Sequence, residues 1–322
     1  MKHTNSNTLR SLGPLIALIV IFLGFAIAEP RFATLQNLVT IANSSAVLMV
    51  LAVGMTFVVI TGAIDLSVEG VMGATALAVA LLVLNSKNDL DLSILGVVAA
   101  IGIGCLIGLV TGILTTRLLI PSFMVTLGVW SASSGIAKLL SGGKPPIIED
   151  AGVRDFALGH YMFGVPNLVL VAAAVVVLGL IAQNYTRFGR YSYMIGGAED
   201  LVRQSGISVD RYKIAVFALS GLLAGLAGVM ETARVGVGES VVGTGQMFSA
   251  ITAVVIGGTP LAGGRGGVAH SVVGVLIIKV LESGMVFVGF PPYIQQSVQG
   301  FFVLVAVVAT TWHLRARLRV VK

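Results

Sequence analysis

Charge is what this sequence has least of. Only 11% of its 322 residues are Asp, Glu, Lys or Arg, whereas 56% are hydrophobic and the mean hydropathy is +0.99. An ordinary soluble domain carries about 25% charge, so a water-soluble globule is excluded. Cysteine is nearly absent: Cys105 lies inside an apolar run without a partner for an intrachain disulfide, and it reports nothing about redox compartment. The four histidines, His3, His160, His270 and His313, are scattered. No spacing resembles a metal site, and the lone thiol has no adjacent base, so neither a metal ligand nor a catalytic residue is expected. "GGRGG" lacks the spacing and the lysine of a phosphate loop, so the chain cannot use ATP by that route. No basic-aromatic tract resembles a nucleic-acid module.

What is there is apolar length. Ten stretches of roughly the 17 to 25 residues needed to cross the hydrocarbon core as a helix run over 12–28, 38–61, 67–84, 92–115, 120–141, 164–182, 212–232, 246–262, 267–290 and 294–312. They are continuous rather than alternating, which argues against a β-barrel. The expectation is an all-α integral membrane protein: a bundle of about ten transmembrane helices, with residues 1–322 forming a single transmembrane domain. The 40 glycines suit such helices, because small residues let backbones approach. Gly104, Gly108 and Gly112 recur every four residues, as do Gly221 and Gly225, and both sets read as close-packing seams. "FAIAEP" has the spacing of a signal-peptidase site, but an uncleaved first helix serves the same targeting.

Basic residues orient the chain. With the N-terminus inside, thirteen lysines and arginines fall on the cytoplasmic side against five outside, which places both termini in the cytoplasm. The net charge of +6 is then a topological signal plus attraction to anionic lipid. The same topology puts the longest polar stretch, "TRFGRYSYMIGGAEDLVRQSGISVDRYK" (186–213), in the cytoplasm. Its centre reads as a helix of about two turns, with Glu199 and Asp200 at its start, Arg203 near its end and Gly206 as its exit; Leu201, Val202 and Ile207 give it a small apolar surface. A solvated loop and a partner contact both fit it.

That stretch, continued through "IAVFALSGLLAGLAGV", resembles the matching segment of the ribose-type permeases, the membrane subunits of binding-protein-dependent sugar ABC importers. "GMTFVVITGAIDLSVEGVMG" (54–73), "PSFMVTLG" (121–128) and "AVVIGGTPLAGGRGG" (253–267) are similar in the same order, so the likeness covers nearly the whole chain. The resemblance implies a multi-pass subunit of the bacterial inner membrane that binds no cofactor itself. Its partners would be a second permease subunit, a cytoplasmic ATPase that consumes the ATP, and an external sugar-binding protein that is periplasmic or lipid-anchored. It also implies that a coupling loop within 183–211 seats in the ATPase through Glu199, Asp200, Leu201, Arg203 and Gly206. The cargo would be a neutral monosaccharide, with a small amino acid or an ion-coupled transporter as the alternatives. Three positions depart from the family pattern: Ser249 where an acidic residue is usual, Ser134 before Gly135 where Arg-Gly is usual, and Glu69 as an added charge.

Shifted by 196 residues, "VVITGAIDLSVEG" (58–70) overlies "VVIGGTPLAGGRG" (254–266), which points to an internal repeat with helix ends or re-entrant turns at both places. Glu69 and Arg265 then occupy equivalent positions and an ion pair between them is conceivable; the plainer expectation is that Asp65 and Ser67 cap the third helix. Lys279 with Glu282, and Glu231 with Arg234, are spaced to neutralise each other. A neutral polyol needs hydroxyl and amide partners along its route. Candidates are Asn43, Ser44 and Ser45, then Ser131, Ser133 and Ser134, then Gln295, Gln296 and Gln299, each of which could equally make ordinary interhelical hydrogen bonds.

Overall fold

In the computed structural model, residues 4–291 are described apart from Phe163, together with isolated positions between 293 and 304; side chains of 4–11, 161 and 162 are not. The tenth apolar run, Gln296, Gln299 and the C-terminus therefore lie wholly or mostly outside the described residues.

Eleven α-helices are present among them: α1 (Thr4–Ala28), α2 (Leu35–Ile60), α3 (Val68–Leu82), α4 (Ser93–Arg117), α5 (Ser122–Ser141), α6 (Ala151–Leu158), α7 (Asn167–Tyr185), α8 (Arg187–Gln204), α9 (Val209–Val235), α10 (Gln246–Gly257) and α11 (Val268–Phe287). A 3₁₀ turn over Pro30–Ala33 and a small ribbon of β1 (His160–Met162) and β2 (Val165–Pro166) complete them. Local chemistry sets several of the ends. The Thr34 hydroxyl accepts from the Asn37 N–H to start α2, and Gly142 and Gly236, both left-handed, stop α5 and α9.

Helix α2 is the axis of the bundle, enclosed by α7, α9, α10 and α11, and α9 packs in turn on α3 and α4. The two glycine seams interlock. Gly104 and Gly108 of α4 face Gly221 and the Phe217 carbonyl of α9, and Gly112 faces Ile214. A Cβ at any of these would meet backbone, so the two helices approach as closely as their main chains allow. Helix α1 lies outside, held to α11 by a cluster of Phe22, Phe25, Phe32 and Phe287. Helices α4, α5 and α7 leave most of their apolar surface open.

Among the described residues, six helices, α2, α4, α5, α7, α9 and α11, are long and apolar enough to cross a membrane. The third and eighth apolar runs are not whole spans. At 1.5 Å per residue, α3 with 15 residues covers about 22 Å and α10 with 12 covers about 18 Å, short of a core of about 30 Å. Non-helical chain adjoins each of these short helices, and before α10 it is a run of turns over 240–245. Residues 61–67 lead into α3, and residues 237–245 descend along α3 before α10 begins: Gly238 lies against Ala76 and Ala80, Ser240 against Gly73, and Gly243 against Met72 and Glu69. Such backbone is tolerated at membrane depth only where protein or water covers it, and glycine lets the chain come close enough to α3.

Candidate functional site

The bundle has one end that carries α8 and an opposite end that carries α6 and the ribbon. The polar stretch 186–213 is almost entirely helical, since α7 continues to Tyr185 and α8 begins at Arg187. Ala198, at φ −162° and ψ 70°, breaks α8 into an arm over 187–197 and a short helix over 199–204. The expected two-turn helix is the second piece, and Gly206 leaves it at φ +78°. The first arm was not legible, because its "MIGGA" core has poor helix propensity and its face is polar.

The short helix is pinned to α9 by charge. Glu199 accepts from Lys213 Nζ at 2.6 Å and from Arg203 at 3.3 Å, and Arg203 also reaches Asp210 at 2.9 Å. Asp210 first, then Glu199, hold the Arg203 guanidinium above its ordinary pKa. Beneath this clasp Ile195, Val202 and Val209 are buried with Tyr191, Ile207 and Tyr212. The expected apolar surface therefore divides: Val202 is buried inward, Ile207 is half-buried, and Leu201 projects outward, 64% exposed beside exposed Asp200.

The kink also touches the repeat. Gly264 N–H donates to the Ile60 carbonyl at 2.8 Å, which joins the turn after α2 to the turn after α10. Gly196 packs against both groups, Gly197 against Gly264, and the Tyr193 hydroxyl donates to the Gly266 carbonyl at 2.7 Å. Gln183 at the end of α7 accepts from Val268 N–H at 2.6 Å, the first residue of α11. Helix α8 thus touches the end of α2, α9 and the turn between α10 and α11 together. A cavity of about 440 Å³ separates the clasp from the α4–α5 turn at 118–121.

The charged residues of the repeat behave differently from the ion pair considered above. Glu69 Oε2 accepts from Gly245 N–H at 3.0 Å, and among the described residues no ion pair joins it to Arg265. Asp65 is buried, accepts from Ser67 N–H and hydroxyl, and accepts from Ser220 of α9 at 2.7 Å. Asp65 thus organises the start of α3, but the Ser67 side chain gives no helix cap. The pairs Lys279–Glu282 at 2.8 Å and Arg234–Glu231 at 2.6 Å are both formed.

The nine pathway candidates are not gathered into one cluster among the described residues. Ser44 and Ser45 bond back to the Ile41 carbonyl of their own helix, Ser133 is buried, and Gln295 donates to the Phe290 carbonyl. Asn43 keeps a buried Oδ1 without a partner, whereas Ser131 is exposed and Ser134 partly so on α5, which packs on α3 and α4 and not substantially on α2.

Residues 37–307 match the family described as the permease component of the branched-chain amino acid transport system. The chain belongs to this permease family. It is 37% identical to the ribose import permease protein RbsC of Escherichia coli K12 over 297 residues, which is 91% of each chain. It is 34% identical to the L-arabinose transport system permease protein AraH of the same strain, covering 95% of this chain and 92% of that one, and 33% identical to RbsC of Bacillus subtilis, covering 93% and 92%. No solved structure matches. The permease is accordingly a multi-pass transport component and not a catalytic subunit; in such systems ATP is hydrolysed on a partner.

Proposed function

We propose that this permease carries a small neutral solute, a monosaccharide, inward across the bacterial inner membrane, as one of two permease subunits on a pair of cytoplasmic ATPases. An external binding protein delivers the sugar. The bundle has ten transmembrane crossings, α3 and α10 each completed by non-helical chain, and the α8 end with both termini lies in the cytoplasm. The segment over 199–206 couples the ATPase to transport. Glu199 and Arg203 brace it on α9, Asp200 and Leu201 face the partner, and left-handed Gly206 closes it.

The observation that carries the coupling assignment is the short helix itself, pinned to α9 on one side, kinked against both repeat turns on the other, and exposing Leu201 at its tip. Movement of the ATPases would pull the clasp, and the 196–198 kink would pass the movement to the ends of α2 and α10. An ion-coupled mechanism is set aside by membership in a family of transport-system permeases.

Sugar is favoured over amino acid by full-length similarity to ribose and arabinose permeases. The family description itself favours the amino-acid reading. An amino acid needs an anionic and a cationic partner together, and the polar candidates include no cation. Uptake into proteoliposomes holding the permease, its ATPase and its binding protein separates the two. ATP-dependent accumulation of pentose or hexose is expected. Accumulation of branched-chain amino acids alone would overturn the sugar assignment.

A further inference from the structure

Glu69 lies deep. Met72 packs on Gly228 of α9, seven residues below Val235, and Glu69 is three residues further down α3. At 1.5 Å per residue it sits about 15 Å from the outer end of α9, the middle of a core of about 30 Å. Its carboxylate is nevertheless only partly buried, and its single hydrogen bond, to Gly245 N–H, is at an exposed margin beside exposed Thr244. Among the described residues no lysine or arginine pairs with it.

A carboxylate at that depth cannot face lipid without a large cost, which leaves water, a solute or the second permease subunit, and of these only water or a solute keeps it open to reagents. Gln246, next to Gly245, keeps a buried Oε1 without a partner. Gly70 packs on the Trp130 backbone of α5, which brings exposed Ser131 to the same region. A carboxylate with one donor and a buried amide oxygen with none call for a ligand that brings donors.

Resting on the transport reading above, we propose that Glu69 lines the water-filled route, accepting hydrogen bonds from the hydroxyls of neutral polyols and repelling anions such as sugar acids and sugar phosphates. Glu69 is thereby a specificity-determining residue that acts after the binding protein has released its cargo. The α10 N-terminus holds the carboxylate in place through Gly245 and leaves its second oxygen for the solute.

Thiol chemistry tests this without the binding protein or ATP. In a background with Cys105→Ser, the variants Glu69→Cys, Thr244→Cys and Leu178→Cys are reconstituted with the ATPase and treated with methanethiosulfonates bearing either trimethylammonium or sulfonate. Leu178 is an exposed residue of α7 and serves as the lipid-facing control. Reaction at 69 and 244 but not at 178 is expected. With Glu69 intact, Thr244→Cys should favour the cationic reagent over the anionic one by about fivefold relative to the same variant carrying Glu69→Gln. Inertness of both 69 and 244, or a charge preference unchanged by Glu69→Gln, overturns the proposal. The Thr244→Cys arm keeps Glu69, so the test survives if Glu69→Cys fails to insert. Absence of ATP-driven uptake by the unmodified complex would refute the transport reading and leave the thiol result to be read on its own.

Discussion

Alanine at Gly104 is the sharpest test of how the bundle is held. Its Cβ would stand 2.5 Å from the Gly221 carbonyl oxygen, 2.8 Å from Gly225 Cα and 3.1 Å from Gly225 N, all of it backbone. Ordinary contact begins near 3.4 Å. Helices α4 and α9 must therefore part by about 0.9 Å, a gap that forfeits a quarter to a half of each dispersion well of about 0.15 kcal/mol. With on the order of thirty atom pairs along the seam the loss is about 2 kcal/mol, within the usual cost of overpacking. Alanine also gains up to about 1 kcal/mol in helix propensity over glycine. Gly102→Ala, on the same helix with nothing within 4 Å, receives that gain without the clash. The difference between the two variants isolates packing. Reversible unfolding in mixed micelles should separate them by about 2 kcal/mol, roughly a 30-fold change in the unfolding constant, with Gly104→Ala the weaker. Equal stability would refute the seam as the close contact between these helices.

Gly196→Ala would drive a Cβ into the Ile60 carbonyl, and Gly206→Pro cannot adopt φ +78°; both should leave the permease inserted and bound to its ATPase but reduce ATP-driven uptake at least tenfold, measured in proteoliposomes. Normal uptake by both would make 186–213 a mere linker. Ser220→Ala removes one of three hydrogen bonds to buried Asp65 and should cost about 1–3 kcal/mol in the same unfolding assay, whereas Ser220→Thr, which keeps the hydroxyl, should cost less. Reporter fusions after Ala151 and after Asp200 should report opposite compartments, periplasmic and cytoplasmic, and agreement between them would break the topology.

Much of this molecule follows from composition and spacing. A chain with 11% charge and ten long apolar runs has few choices other than a membrane bundle of helices, because in lipid each backbone N–H and C=O must be satisfied within the segment. The glycine periods of α4 and α9, and the pairs Lys279–Glu282 and Glu231–Arg234, were legible for the same reason: they depend on helical spacing alone. So was the short helix ending at Gly206, through its terminal charges and its glycine exit. Tertiary structure decided the rest. Hydropathy counts apolar residues but not helical ones, so it marks whole spans at 67–84 and 246–262, whereas α3 ends at Leu82, α10 ends at Gly257, and the non-helical chain packed on α3 over 237–245 precedes α10. It placed Glu69 opposite Arg265 by repeat, yet the re-entrant path of 237–245 delivered Gly245 to that carboxylate instead. Only the fold could bring a kink at Ala198 against turns at 60 and 264, since contacts between distant segments leave no period in the sequence.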